Sequence, residues 1–235
     1  MCLINMLIYI EGNIGTGKST FVDKLMSYLP HLKELNVDPK LILEPVDEWL
    51  ETKDSDGQHI LQKFYGDQTK WAFTFQMNSF ISRVKRIQDE MFRDDNGKEK
   101  MAFVERSIYT DRNCFAKLCH ESGKMTTLEY DIYCKWNEWL SEQFNISPDV
   151  YIYLRCLPDV NDRRIKERAR SSEEHIPIEY LKSLHDKHDE WMKFEKDHGV
   201  PVYVIDANRN FKDPNEMDKI FDELMVFLKT FVDKK

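Results

Sequence analysis

The sequence predicts an α/β layer sandwich: a five-stranded parallel sheet with helices on both faces. Three observations carry that expectation. The stretch IYIEGNIGTGKSTFVDKL at 8–25 reads as a β-strand, a glycine-bearing turn and an amphipathic helix. Four later segments repeat the character of the first strand: KLILEPV (40–46), MAFVERS (101–107), DVYIYLR (149–155) and VPVYVIDA (200–207). Each is a short apolar run rich in β-branched and aromatic residues, as strands buried on both faces of a parallel sheet require. The stretches between them are long enough for right-handed helical crossovers, and the alternation runs through the whole chain. No internal repeat or low-complexity linker interrupts it, so residues 1–235 are read as one domain.

Individual elements follow in order. The apolar N-terminus MCLINMLIYIEG lacks a basic n-region and leads into the glycine turn, so it is read as the first strand and not a signal peptide. Residues 66–93 contain no proline and only an initial glycine, which predicts one long helix. Its aromatics Trp71, Phe73, Phe75 and Phe80 exceed a single narrow stripe, as core packing plus a dimer seam would explain. DDNGKEK (94–100) reads as a solvent turn. A last helix is expected over 214–232, opened by a proline after Asp213.

At 41% hydrophobic and 32% charged, the composition is that of a globular protein whose core needs no disulfide or metal. The net charge of −8 argues against a nucleic-acid or anionic-membrane binder. No apolar run reaches the roughly 18 residues a membrane span needs. The five cysteines form no C-x-x-C pair, as expected of reduced thiols in the cytoplasm, where the sequon at Asn145 stays idle.

Gly12, Gly17, Lys18 and Ser19 satisfy G-x-x-x-x-G-K-[ST], the loop that cradles a nucleotide's phosphates. Glycines at 12, 15 and 17 let backbone N–H groups turn inward at the positive end of the following helix. Lys18 then reaches terminal phosphate oxygens, and the Ser19 hydroxyl ligates Mg²⁺. The whole cradle runs through Gly12, Asn13, Ile14, Gly15, Thr16, Gly17, Lys18, Ser19 and Thr20.

Three further clusters lie where ligands of open α/β sheets bind, beyond the carboxyl ends of strands. In LEPVDEW (43–49), Glu44 is either a general base for an attacking hydroxyl or a strand-end surface residue; Trp49 can wall a pocket. In FVERSIYTDR (103–112), Arg106 can neutralise developing oxygen charge while Glu105 helps hold Mg²⁺, or the two form a structural ion pair. Asp111 either caps a helix or faces the same pocket. In NDRRIKERARSSEEHIP (161–177) the basic run is either a solvated helix face or a mobile lid over about 163–175 that closes on phosphates.

Together these motifs resemble the deoxyribonucleoside kinase family, of the deoxycytidine and deoxyguanosine kinase kind. GNIGTGKST, LEPVDEW, FTFQ followed by Arg83, ERSIYTDR, RARSSEEHIPIEYLKSLHDKHDEW and DANRNFKD carry the resemblance across essentially the whole chain. It implies a P-loop nucleotide kinase-like fold with an arginine-rich lid, using ATP and Mg²⁺ to phosphorylate a deoxynucleoside 5′-hydroxyl. On this resemblance Glu44 is the general base, and Arg106 steadies the 5′-oxygen and that base. Glu105 lies near the metal with Ser19. Tyr65 and Glu173 hold the sugar 3′-hydroxyl, and Gln76 reads the base edge. Arg164, Arg168 and Arg170 contact phosphates from the lid. The loop at Asn210 and Phe211 lies against the donor base, with asparagine where several relatives have aspartate.

Arg83 and Asp111 turn base choice: thymidine-using members of the family tend to carry methionine and alanine there. The expectation is purine deoxynucleosides first, deoxycytidine next and thymidine poor. A homodimer through helices at 66–93 and 127–145, and feedback inhibition by a deoxynucleoside triphosphate, are further implications. The alternatives are a nucleoside monophosphate kinase and, more remotely, a nucleotide switch, for which DKHD (186–189) is a poor guanine-reading motif because it sits in a helical pattern.

Overall fold

The computed structural model describes residues 6–32, 37–92, 100–168 and 176–232. In chain order they form β1 (Met6–Glu11), α1 (Lys18–Leu32), β2 (Asp38–Ile42), α2 (Val46–Glu51), α3 (Ile60–Gly66), α4 (Gln68–Phe92) and β3 (Lys100–Glu105). Next come α5 (Ile108–Thr110), a turn of π-helix (Asp111–Ala116), α6 (Lys117–Glu121), α7 (Thr127–Gln143) and β4 (Val150–Arg155). The chain continues through α8 (Pro158–Arg168), α9 (Ile178–Asp197), β5 (Val202–Asp206) and α10 (Pro214–Val232).

The strands make one parallel sheet in the order β2-β3-β1-β4-β5. Alternation along β1 divides the core in two, because successive side chains point to opposite faces. Leu7 and Tyr9 join Val104, Tyr151 and Tyr153 under α4, α7 and α9. Met6, Ile8 and Ile10 join Phe103, Ile152 and Leu154 under α1 and α10.

Several expected boundaries move. The second strand stops at Ile42 and not at 46, because Pro45 has no N–H for a ladder and restricts Glu44 before it. Glu44 therefore stands past the strand end, and Val46 already opens α2. The expected helix 66–93 is two helices: Gly66 closes α3, Asp67 adopts a non-helical φ of −151°, and its Oδ1 accepts from Lys70 N as the cap of α4. The helix expected over 127–145 ends at Gln143, shortly before Asn145 at φ +47°. Burial on both faces holds for β1, β3 and β4 but not for β2 and β5, which are edges. Pro39 is tolerated in β2 for that reason, and Val204 of β5 is half exposed.

The turn read at 94–100 and Cys2 lie outside the described residues, apart from Lys100 in β3. The four described cysteines are free thiols. Among the described residues no helix is long and apolar enough to cross a membrane.

Candidate active site

The glycine loop joins β1 to α1 at the carboxyl edge of the sheet. It presses on its surroundings at two glycines. A Cβ on Gly12 (φ +154°) would lie 2.8 Å from Leu154 O, and one on Gly15 (φ +76°) 2.6 Å from Asn161 O. Asn13 staples the loop's inner end: Oδ1 accepts from Ile14 N at 2.8 Å and Nδ2 donates to Leu181 O of α9 at 2.8 Å. Thr16 Oγ1 donates to Asn13 O at 3.0 Å. Lys18 is buried, and its ammonium donates to Gly12 O (2.9 Å) and Asn13 O (2.8 Å). Burial and then the Arg106 charge lower its pKa to about 7, against the pull of Glu44, Glu105 and Glu11.

Opposite this loop, three segments meet. Arg106 follows β3 in the left-handed region, at φ +63°. Glu44 Oε1 sits 2.5 Å from Arg83 Nη2 and 3.5 Å from Arg106 Nε. Burial alone would raise the Glu44 pKa, but Arg83, Arg106 and Lys18 outweigh it and hold the carboxyl at about 2. Glu105 is pushed up, by burial and by the Glu44 charge, and its Oε2 accepts from Glu44 N at 3.4 Å.

Arg83 also donates through Nε to Asp111 Oδ2 at 2.8 Å, with both groups almost wholly buried. Its guanidinium lies 5.1 Å from the Trp49 ring centroid, and Trp49 is fixed by Nε1 donating to Ser82 Oγ at 2.9 Å. Ser79 Oγ is 3.4 Å from each Asp111 oxygen. Asp111 thus opens the π-turn and pairs with Arg83, so the helix-cap alternative falls.

Most of these groups line one cavity of about 840 Å³ that runs from the phosphate loop to α4. Ile14 through Thr20, Glu44, Trp49, Tyr65, Gln76, Arg83, Glu105, Arg106, Asp111, Arg164, Arg168, Asn210 and Phe211 face it; Gly12 and Asn13 do not. Of the lid expected over about 163–175, residues 163–168 form the end of α8, and 169–175, with Arg170 and Glu173, lie outside the described residues. Four buried polar atoms on the wall have no partner among the described residues: Gln76 Nε2 and Oε1, Arg83 Nη1 and Arg106 Nη1. Such atoms are costly unless something polar meets them.

Arg164 differs from a free lid arginine. Its Nη1 donates to Thr16 O (3.0 Å) and Ala207 O (2.7 Å), and its Nη2 to Arg209 O (2.9 Å). It thereby ties the phosphate loop to the 207–211 loop, with its guanidinium carbon 5.9 Å from the Phe211 ring centroid.

Sequence reasoning missed two aromatic walls. Phe75 precedes Gln76 and was absorbed into the core; Phe115 packs its ring 4.8 Å from the Arg106 guanidinium carbon. The signal for Phe115 was its place four residues after Asp111, on the side of the helix that faces the cavity.

A phosphate loop facing a largely pre-formed cavity of apolar walls and convergent polar groups defines a nucleotide-dependent phosphotransferase. The family model for deoxynucleoside kinase matches residues 8–232, and the chain belongs to that family. It is 36% identical to mouse (Mus musculus) deoxycytidine kinase, over 95% of this chain and 91% of that one. It is 34% identical to a probable deoxycytidine kinase of fowlpox virus, over 94% of this chain and 87% of that one. It is 30% identical to a mitochondrial deoxyguanosine kinase of Xenopus laevis, over 95% and 88%. The chain is a deoxynucleoside kinase, with the parallel α/β fold expected.

Proposed function

We propose that this chain, acting as one domain over 1–235, transfers the terminal phosphoryl group of ATP to the 5′-hydroxyl of a deoxynucleoside. The carrying observation is the set of unpartnered buried atoms around the cavity. The Gln76 amide offers the donor and acceptor that match adenine or cytosine, and a free guanidinium N–H from Arg83 suits the O6/N7 edge of guanine. Purine deoxynucleosides are therefore placed first, deoxycytidine second, and thymidine, which meets the Arg83–Asp111 pair with its methyl, last.

In this reading Glu44 orients the 5′-hydroxyl and takes its proton, Arg106 steadies the reacting oxygen, and Tyr65 and Glu173 hold the sugar. Lys18, Arg168 and Arg170 meet the phosphates. Arg164 keeps the donor loops together, and Asn210 and Phe211 flank the donor base. A carboxylate with a pKa near 2 is a weak base. It suffices because the transferring phosphoryl group is loosely bonded in the transition state, so the proton leaves late. The Ser19 hydroxyl and Glu105 carboxylate are hard oxygens at the phosphate end, as Mg²⁺ prefers. When bound, that ion neutralises charge on the phosphate oxygens.

The acceptor end pairs Glu44 and Asp111 with Arg83 and Arg106, a balanced set that suits a neutral nucleoside and leaves no surplus positive charge for a monophosphate. The test is kcat/KM for dG, dA, dC and dT beside their monophosphates, with ATP and Mg²⁺. Monophosphates turning over faster than nucleosides would overturn the reading; thymidine turning over faster than dG and dC would overturn the base assignment.

A further inference from the structure

Arg106 holds a left-handed backbone, which a residue with a Cβ resists and keeps only where its surroundings over-determine it. One residue accounts for much of that restraint and has no part in the chemistry above. Glu11, the last residue of β1, is fully buried and does not face the cavity. Its Oε1 accepts from Ser107 N at 2.9 Å, directly after Arg106. Its Oε2 accepts from the Thr110 hydroxyl. Thr110 N in turn donates to Ser107 Oγ at 3.2 Å, and Arg106 N donates to Ile10 O at 3.0 Å.

Both carboxylate oxygens therefore act as acceptors, the pattern of the ionised form. Burial leaves the Glu11 pKa raised overall, and the Arg106 charge with the Ser107 and Thr110 hydrogen bonds opposes that rise. A buried charge is an expensive way to fill space. Its position explains it: Glu11 immediately precedes Gly12 of the phosphate loop and grips the turn that carries Arg106.

We propose that Glu11 is a positioning residue for phosphoryl transfer, its carboxylate clamping the Ser107–Thr110 turn so that the Arg106 guanidinium is held toward Glu44 and the reacting oxygen. The proposal rests on the role given to Arg106 under the proposed function. The clamp links the donor and acceptor halves of the site through one side chain, and it acts on the geometry of the reaction, not on ligand affinity.

The test uses the full chain with Glu11→Gln, which keeps the shape and loses the charge. It adds Thr110→Val, which removes one donor, and Thr110→Ser, which restores it. Glu11→Gln is expected to lower kcat by about 10- to 100-fold, the scale of a small misplacement, with the nucleoside and ATP KM within about threefold. Thr110→Val should lower kcat less, and Thr110→Ser should recover it. If Glu11→Gln does not fold, the two Thr110 variants carry the test. A fall in thermal stability with parental kcat per folded molecule overturns the proposal, as does a change confined to KM. Hydrogen exchange at the Ser107 amide gives a readout independent of turnover. Glu11→Gln or Thr110→Val should speed it about tenfold or more against the β3 amides, and unchanged protection overturns the clamp. A parent chain inactive on all four deoxynucleosides sinks the proposed function and the catalytic role together, while Ser107 exchange alone then decides the clamp.

Discussion

At Glu44, two guanidiniums and an ammonium act on one carboxylate, and their sum overrides burial. Replacing Glu44 with Gln should lower kcat by about 10²- to 10⁴-fold, the range for losing a positioned proton acceptor, while nucleoside binding by calorimetry stays close to parental. A near-parental kcat would remove Glu44 from the role of base. Lys18 gives a second residue-scale expectation. Its pKa of about 7 means that most of the population is neutral at pH 8, whereas a bound triphosphate favours the charged form. ATP binding at pH 8 should therefore take up a proton, approaching about one as pH rises further, and that uptake should fade below pH 6. Calorimetry in buffers of different ionisation enthalpy measures it. At this scale the sequence was legible wherever a motif named the residue: the glycine loop, Glu44, and the Glu105–Arg106 pair. Glu11 was not legible, because it ends an apolar strand and its partner Thr110 is 99 positions away.

Between elements, the pairing of α4 with the π-turn is the decisive contact. Arg83 and Asp111 come from these two segments and are buried together. Removing one partner leaves an uncompensated buried charge, so Arg83→Met or Asp111→Ala alone should cost about 3–5 kcal/mol. The double variant should recover much of that loss, and thymidine should gain on deoxyguanosine in kcat/KM. Chemical unfolding of all four combinations, with a substrate panel, checks the coupling; strictly additive losses would mean the pair does not act as a unit. Element existence was readable from apolar runs and helical spacing. Boundaries were not, since they depend on single residues: Pro45 ends β2, Asp67 splits an expected helix, and Arg106 turns the chain out of β3. Which strands lie at the edge depends on sheet order, which periodicity does not encode.

Across the molecule, α7 leaves Leu128, Ile132, Trp136 and Trp139 substantially exposed, and α4 adds Ile81. We expect these helices to pair with those of a second copy, because a patch of this kind marks an interface more often than a bare surface. Trp136→Glu with Trp139→Glu should convert a dimer to a monomer in analytical ultracentrifugation, and a parental chain that sediments as a monomer would refute the seam. The site itself has another whole-molecule consequence, set by the partnered groups Glu44, Asp111, Arg83 and Arg106. Its charges are balanced and mostly shielded before any nucleoside arrives. An uncharged acceptor then displaces no counter-ions, and buried pairs feel dissolved salt weakly. Nucleoside affinity should stay nearly flat between about 0.05 and 0.5 M salt while triphosphate affinity falls, so ionic strength acts as a dial on the donor alone.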